Sequence, residues 1–397
     1  MVNRYSNFIL IRVNIDFFYK YYRTPIVIIV LGVWFRFFAM SMGNMEDYNI
    51  FNEGSSLFRN SRNIYLEAPN FDWPYSSLFI QTLSWMQFLT QFSSNLSFRF
   101  SYVTLLTLID VGIFILIKNN FGYNRAVFYF LSPISIIITG YHNQFDNLAL
   151  LMGFAGVLLL NNIDERNKHS VSSIILVSSL LIGLSINLKH IFIFLPLYIL
   201  FSKIDFFIKV RVFFLSYFVV FIYMGINFFT TPSAFINQVL NYSSWANYPL
   251  LYWLNIPNFS NFQFAKDLLI LVMIFGAFFS YKFNPLYIVP YYLLILFTFT
   301  PAIANQQWVI ALLIATIFPN ILFSVWAIVT SLALLADEQE LRLSFFRKLL
   351  PEYLIRNPAA NLDGYFNGVF RNLYLLYLAG FILLLYKILR KNSFYQK

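Results

Sequence analysis

The amino-acid sequence contains no cysteine, and only three of its 397 residues are histidine. Without cysteine the chain forms no disulfide, binds no metal through thiolates and has no cysteine nucleophile. It also lacks a glycine-rich phosphate loop, a His-Glu-x-x-His zinc motif and a Gly-x-Ser-x-Gly nucleophile motif. We therefore predict no cofactor and no bound metal. An all-oxygen site for a divalent cation on Asp47 and Asp146 is the alternative that this composition leaves open.

Charged residues are scarce. They make up 11% of the chain, whereas roughly 25% is usual for a soluble domain. Hydrophobic residues make up 59%, and the mean hydropathy is +0.66. Apolar segments of about 20 residues, the length that crosses a bilayer as a helix, recur along the chain. These features predict an integral membrane protein without a separate soluble domain.

The net charge of +10 does not indicate a nucleic-acid partner. The lysines and arginines lie in short loops and tails between apolar segments, as the positive-inside rule describes for cytoplasmic loops. No RNA-reading motif accompanies them. We predict that the chain contacts membrane lipid and no nucleic acid.

The predicted fold class is all-α, a polytopic transmembrane helical bundle of about 11–13 spans. We predict a single integral membrane domain over residues 1–397, without an internal repeat. Among its spans we expect one at about 126–140 and one or two short ones over 308–335. The predicted parts are a cytoplasmic tail (1–23), a long first external loop with amphipathic helices (42–99), core helices (100–229), a second external loop (230–262) and C-terminal helices (263–397).

Basic residues set the predicted orientation, because cytoplasmic loops are enriched in lysine and arginine. An N-terminus inside the cell agrees with the later basic loops only if segment 75–92 does not fully cross the membrane. Gln81, Ser84 and Gln87 interrupt this segment, so we interpret it as an amphipathic or re-entrant part of the first external loop. A full crossing would invert every later segment. In the first orientation the polar clusters described next share the external face.

The first polar cluster follows the first predicted span. Asp47 lies there, with Glu46 beside it. A carboxylate at a membrane surface can take the proton from an attacking hydroxyl, which is the role of a general base. We take Asp47 as the catalytic candidate and Glu46 as its neighbour in the site. The alternative is that both are solvated loop acids.

The second cluster is the turn 141–147, which holds His142, Gln144 and Asp146 between two predicted spans. Polar groups near hydrocarbon are costly, and they usually line a site or pair with one another. The turn is short and bracketed by apolar helices, so we expect its side chains to point into a cavity. The alternative is an ordinary aqueous turn.

The third cluster is Lys189 and His190, which directly follow an apolar segment. A lysine binds phosphate as a point charge, and a lipid-linked phosphate would lie at this level of the membrane. The alternative is that Lys189 only extends to the headgroups. Arg36 presents a similar choice, because it lies inside the first span and either has an ion-pair partner or reaches for the membrane surface.

Three further residues are candidate substrate contacts. Trp73 and Tyr75 flank Pro74 in the first external loop. Aromatic residues at an interface usually anchor at the headgroup level, although some stack on a sugar face. Gln306 lies in a polar turn before an apolar segment, where it is either solvated or in contact with substrate.

In this order the motifs resemble the GT-C superfamily of membrane glycosyltransferases, and most closely the dolichyl-phosphate-glucose-dependent glucosyltransferases of N-glycan assembly. The family's His-Phe-Gln-Tyr-Asn turn is similar to His-Asn-Gln-Phe-Asp at 142–146. Its Ile-Asn-Tyr-Lys segment is similar to Ile-Asn-Leu-Lys at 186–189, and its Tyr-Pro-Pro motif loosely resembles Trp-Pro-Tyr at 73–75. The family's first-loop catalytic aspartate falls on Asp47. The resemblance extends over roughly residues 47–200.

The resemblance implies an inverting transfer of a hexose from a polyprenyl-phosphate-linked donor to a lipid-linked glycan or surface polysaccharide. Asp47 would be the base, Lys189 and His190 would stabilise the leaving phosphate, and the turn 141–147 would shape the sugar-phosphate pocket. Asn143 and Asp146 depart from the family's turn, which fits a bacterial relative that uses undecaprenyl-phosphate sugars. The implied location is the bacterial inner membrane, or the endoplasmic reticulum in a eukaryote, with the site facing outside or the lumen.

Two other functions compete with this interpretation. A lipid-linked-oligosaccharide flippase or other transporter would have polar and charged residues at mid-membrane depth in several spans, whereas here they gather at one face. An O-antigen polymerase or ligase also acts on undecaprenyl lipids. Such proteins typically depend on arginine and histidine in a large external loop, and residues 230–262 contain neither.

Overall fold

The computed structural model describes residues 24–44, 46–67, 73–90, 97–161, 168–240, 249–254, 262–336, 343 and 362–390. Within these residues every regular element is helical and none is a strand, which confirms the all-α prediction. The predicted tail 1–23 lies outside the described residues, as do parts of the loop 230–262. The helices are α1 (Pro25–Ser41), α2 (Glu46–Arg59), α3 (Ser77–Thr90), α4 (Phe98–Phe121), α5 (Tyr123–Phe130), α6 (Pro133–Gly140), α7 (Asp146–Asn161), α8 (Lys168–Leu188), α9 (Leu195–Leu200), α10 (Phe206–Thr230), α11 (Pro232–Phe235, continued as a π-helical turn, Ile236–Leu240), α12 (Pro249–Trp253), α13 (Phe262–Phe278), α14 (Ile288–Phe299), α15 (Trp308–Ile317), α16 (Ile321–Ala336) and α17 (Leu362–Arg390).

Four apolar helical segments in the described part of the chain are long enough to cross a bilayer: Phe98–Phe121, Val171–Leu188, Phe206–Thr230 and Gln263–Lys282. Six shorter apolar helices accompany them. Large hydrophobic side chains such as Phe214, Phe218 and Phe221 are exposed along α10, as they would be against lipid. These helices are those of an integral membrane protein, while the number of spans stays a prediction.

The span predicted at about 126–140 is not one continuous helix, because α5 ends at Phe130 and α6 begins only at Pro133. Proline has no amide proton and restricts the backbone of the residue before it, so a continuous helix is broken here. The break leaves the carbonyl of Phe130 available to a side chain from α1, as described below. Residues 308–335 likewise form two helices, α15 and α16, so of the one or two segments expected there the structure has two, and that they span the membrane stays a prediction.

The helix α3 occupies most of the segment 75–92 and has 14 residues. Crossing the hydrocarbon core takes about 20 residues, so α3 alone is short for a span. It packs against α2 in the same predicted loop. That this segment does not fully cross the membrane stays a prediction.

Small residues allow the central helices α7 and α8 to pack closely. The hydroxyl of Ser178 donates to the carbonyl of Gly156 (2.7 Å), and Ser185 donates to the carbonyl of Ala149 (2.6 Å). A Cβ on Gly156 would lie 2.8 Å from Cγ1 of Ile182, so a larger residue does not fit. Close backbones with hydroxyl hydrogen bonds are typical of helix pairs in membranes. This packing positions the start of α7 next to the end of α8, where the polar clusters meet.

Candidate active site

Three segments that are distant in sequence bring polar side chains together. Asp47 lies in the first turn of α2, and its Oδ2 accepts a hydrogen bond from Nε2 of Gln144, between α6 and α7. Nζ of Lys189, directly after α8, lies 3.2 Å from Oδ2 of Asp146. The predicted residues Asp47, Gln144, Asp146 and Lys189 therefore form one cluster, hereafter the Asp47 cluster.

The turn 141–147 is built by the sharp end of α6. The amides of Tyr141 and His142 both donate to the carbonyl of Ile137, at 2.9 and 3.0 Å. Asn143 then takes φ of 58°, a left-handed conformation that asparagine tolerates better than most residues. Its Nδ2 donates to the carbonyl of Gly140 (2.9 Å) and so satisfies the end of α6. All seven residues of the turn are buried, which excludes a solvated turn.

Lys189 is held inside the protein rather than extended to the surface, since only 7% of the residue is exposed. Its ammonium lies 4.7 Å from the ring centre of Phe145 and 4.9 Å from that of Tyr75, within the range of cation–π attraction. Burial opposes the charge, but the carboxylate of Asp146 and further negative partners raise the pKa of Lys189 above its ordinary value. The cluster thus retains a fixed positive charge.

The carboxylate of Asp47 is poised toward the protonated form by its surroundings. Burial raises the pKa of Asp47, and His142, Lys189 and the hydrogen bond from Gln144 oppose that effect. The nearby Asp146 adds to the rise. A carboxylate whose pKa is raised is a stronger base than a solvated one, which suits proton abstraction from a hydroxyl.

An aromatic wall of Phe51, Trp73, Tyr75, Phe79 and Phe145 closes one side of the cluster. The ring of Phe79 stacks on Phe145 with centroids 3.4 Å apart, and Trp73 stacks on Phe79 at 5.9 Å. Trp73 is fully buried, so its ring packs within the wall. Tyr75 is only partly buried and contacts Phe145 edge to face at 4.9 Å. The wall makes the surroundings of Lys189 and Asp47 apolar.

The remaining predicted site residues are placed differently. His190 follows Lys189, but its side chain is exposed. Gln306 lies in a short helical turn, Asn305–Gln307, and is half-buried. The structure does not describe the side chain of Glu46. Among the described residues no group of three or more histidines, cysteines, aspartates or glutamates is placed to hold a metal ion.

A buried network that the sequence analysis missed lies beneath the turn and is centred on Asp110 of α4. Nε of Arg36 donates to Oδ2 of Asp110 (2.7 Å), and both side chains are fully buried. Thr139 donates to Oδ2 (2.6 Å), and Nδ2 of Asn147 donates to Oδ1 (2.5 Å). Arg36 therefore has an ion-pair partner and does not reach for the membrane surface. A lone aspartate within an apolar span was the sequence signal for this partner.

Arg36 also bonds to the break between α5 and α6. Its Nη1 donates to the carbonyls of Gly32 (3.0 Å) and Phe130 (3.1 Å), and its Nη2 donates to Oγ of Ser135 (2.7 Å). Together with Asp110 it connects α1, α4, α5, α6 and α7. Because Thr139 precedes the turn 141–147 and Asn147 is its last residue, the network holds both ends of that turn.

Arg99 connects the turn to the segment that leads into α2. Its Nε donates to Oδ1 of Asn143 (3.2 Å), and its Nη2 donates to the carbonyl of Gly43. The guanidinium also lies 5.7 Å from the ring centre of Tyr48. Arg99 thereby holds the start of α2, and with it Asp47, against the turn.

No protein-family model and no curated protein sequence matches this chain. Among solved structures, its fold is similar to the crystal structure of ArnT from Cupriavidus metallidurans bound to undecaprenyl phosphate. The identity is 11% and the TM-score 0.49, over 90% of this chain and 76% of that chain. At this level the likeness assigns the chain neither a family nor a shared site.

Proposed function

We propose that this protein is a membrane glycosyltransferase of the GT-C type, which moves a hexose from a polyprenyl-phosphate-linked donor to a lipid-linked glycan or surface polysaccharide. The observation that carries the proposal is the Asp47 cluster. A half-buried carboxylate, a charged lysine and an aromatic wall meet where apolar helices end, which is where a lipid-linked phosphate and its sugar would lie. The motif resemblance described above supports the same assignment.

In the proposed reaction Asp47 accepts the proton of the acceptor hydroxyl. The freed oxygen attacks the anomeric carbon, and the bond from that carbon to the phosphate oxygen breaks. The electron pair leaves with the polyprenyl phosphate, so the configuration inverts in a single displacement. Asp47 afterwards releases its proton to water. Gln144 orients the Asp47 carboxylate through its amide hydrogen bond.

Lys189 stabilises the leaving phosphate in this scheme. An ammonium has three donors, so it can keep its contact with Asp146 while it meets a phosphate oxygen. Its apolar surroundings strengthen that attraction relative to water. His142 and Asp146 would shape the pocket, and Tyr75 would face the sugar. The remaining predicted substrate-binding residues are Glu46, Trp73, His190 and Gln306. The reaction would take place on the external or lumenal face of a multi-pass protein.

The proposal is tested by transfer from a panel of radiolabelled polyprenyl-phosphate hexoses, with membrane extract as the acceptor source. Asp47→Asn should lower transfer about 10²–10⁴-fold, the usual contribution of a general base. Glu53→Gln is the matched control, because Glu53 is an exposed acid on the same helix. Near-normal transfer by Asp47→Asn would remove Asp47 from this role.

A transporter for lipid-linked oligosaccharides is the second candidate, and one observation favours it. The Arg36–Asp110 pair lies between two apolar helices, where charges often mark a transport path. However, every charged atom of the pair has a protein partner and neither side chain is exposed. Folded protein that transfers no sugar from any donor, but moves labelled lipid-linked oligosaccharide across vesicles, would support this candidate instead.

A further inference from the structure

A groove with a volume of about 470 Å³ lies between α2 and α3, and its lining residues are separate from the Asp47 cluster. Ligand sites usually measure about 300–1,000 Å³, so the groove has room for a small molecule or part of a larger one. No step of the proposed mechanism uses it. Its lining residues are Phe58 and Arg59 of α2 and Gln81, Ser84, Trp85 and Phe88 of α3.

The lining of the groove combines an exposed aromatic ring with polar groups. Gln81, Ser84, Trp85 and Phe88 have the spacing of one helix face. Trp85 is 67% exposed, although it is a large apolar side chain, and its ring meets Phe88 edge to face at 6.1 Å. A sugar ring has an apolar C–H face and a polar edge of hydroxyls. An indole beside an amide, a hydroxyl and the guanidinium of Arg59 complements both sides of such a ring.

Asp47 and the groove lie at opposite ends of α2. Asp47 and Phe58 are eleven positions apart, which is about three helical turns or about 16 Å along the axis. A molecule that presents a hydroxyl to Asp47 and also fills the groove must therefore be longer than a single sugar ring. An oligosaccharide meets this requirement, whereas a monosaccharide does not.

We propose that this groove binds the non-reacting part of an oligosaccharide acceptor, an inference that rests on the proposed glycosyl transfer. Binding energy from a remote part of the acceptor helps to position the reacting hydroxyl, so acceptors too short to reach the groove react slowly. The rival occupant is the bilayer, with Trp85 as an anchor. The polar residues Arg59, Gln81 and Ser84 beside the ring favour the saccharide, because its hydroxyls find hydrogen-bonding groups there.

The first test measures binding without chemistry. Purified protein in phosphatidylcholine nanodiscs is titrated with fluorescently labelled oligosaccharides of increasing length from several hexose series, and the dissociation constant is read from polarisation. Trp85→Ala should weaken binding about three- to tenfold, and Trp85→Phe should restore most of it because the ring returns. Trp34→Ala is the matched control, since Trp34 is 58% exposed on the apolar helix α1.

Asp47→Asn separates this inference from the proposed function. It should lower transfer about 10²–10⁴-fold, and Trp85→Ala should weaken oligosaccharide binding by the same factor in Asp47→Asn as in the wild type. Binding without transfer in the wild type would keep the groove and refute the proposed reaction. No binding by any oligosaccharide, or equal binding by wild type and Trp85→Ala, would overturn the groove proposal.

The second test places the ring of Trp85. Its fluorescence is the difference between wild type and Trp85→Phe, measured in nanodiscs with and without brominated acyl chains. We expect no quenching of Trp85 and strong quenching of Trp34, obtained in the same way from Trp34→Phe. Quenching of Trp85 by brominated lipid would place the ring in the bilayer and overturn the proposal.

Discussion

Replacing Asp110 with alanine tests whether the buried network positions the turn 141–147. The substitution removes three hydrogen bonds, from Arg36 (2.7 Å), Thr139 (2.6 Å) and Asn147 (2.5 Å). It also leaves the guanidinium of Arg36 buried with only neutral partners. Both ends of the turn 141–147 lose a contact with α4.

The expected cost follows from two limits. Hydrogen bonds between membrane helices contribute about 0.6 kcal/mol each on average, so three of them account for about 2 kcal/mol. Removing one partner of a buried ion pair in a soluble protein costs about 3–5 kcal/mol. We expect Asp110→Ala to cost between these values, about 2–5 kcal/mol. Thr139→Val removes one hydrogen bond and should cost at most about 1.7 kcal/mol.

The assay is unfolding of the purified protein in one detergent, with sugar transfer measured at a temperature where each variant is folded. Asp110→Ala should lower stability and reduce transfer in the protein that remains folded, because the turn carries Gln144 and Asp146. The double variant Arg36→Met with Asp110→Leu removes both charges and should be more stable than Asp110→Ala. If Asp110→Ala changed stability by less than about 0.5 kcal/mol, as ordinary surface substitutions do, the reasoning would be refuted.

Three further outcomes are expected. Burial raises the pKa of Asp47 above its ordinary 3.8, so the wild type loses stability as pH rises from 3.8 through the folded pKa. Thermal unfolding should therefore show Asp47→Asn to be more stable than wild type at neutral pH, with the gain shrinking as pH falls through the folded pKa and absent below 3.8. In transfer kinetics Lys189→Met should lower kcat about 10²–10³-fold, since no cation would then lie between Asp146 and the leaving phosphate. Lys189→Arg should retain part of the activity, and equal activity of both variants would contradict the proposed role of Lys189 in stabilising that phosphate. Gly140→Ala would press a Cβ against the backbone carbonyl of Arg36, so the free energy of unfolding should fall by about 1–3 kcal/mol. An unchanged free energy of unfolding would mean that α1 and α6 can move apart without cost.

The composition and the length of the apolar segments were sufficient to predict an all-helical membrane protein. An apolar segment needs about 20 residues to cross a bilayer as a helix, so a short stretch of sequence is enough to recognise one. The break within the predicted span 126–140 was missed because the apolar pattern outweighed Ser132 and Pro133, which separate one helix from the next. Such breaks depend on residues such as proline that restrict the backbone, and a hydropathy pattern does not show their effect.

The sequence motifs also identified candidate site residues, namely Asp47, Gln144, Asp146 and Lys189. The motifs did not show that these residues lie in contact. The contacts among them depend on α2, the turn 141–147 and the end of α8 meeting, which is a matter of helix packing. For Trp73 the motif suggested a ring that could stack on a sugar, whereas the structure packs this ring fully inside the aromatic wall.

The choice between an ion pair and an extended side chain at Arg36 could not be made from the sequence. Its partner, Asp110, is 74 positions away on another helix, and no local pattern connects the two. The sequence by itself determined that the chain is an all-helical membrane protein, because burial of apolar surface in lipid depends on composition and on the length of the apolar segments. Only the tertiary structure decided which charges pair and which face the site, because those energies depend on distance and burial between segments remote in the chain.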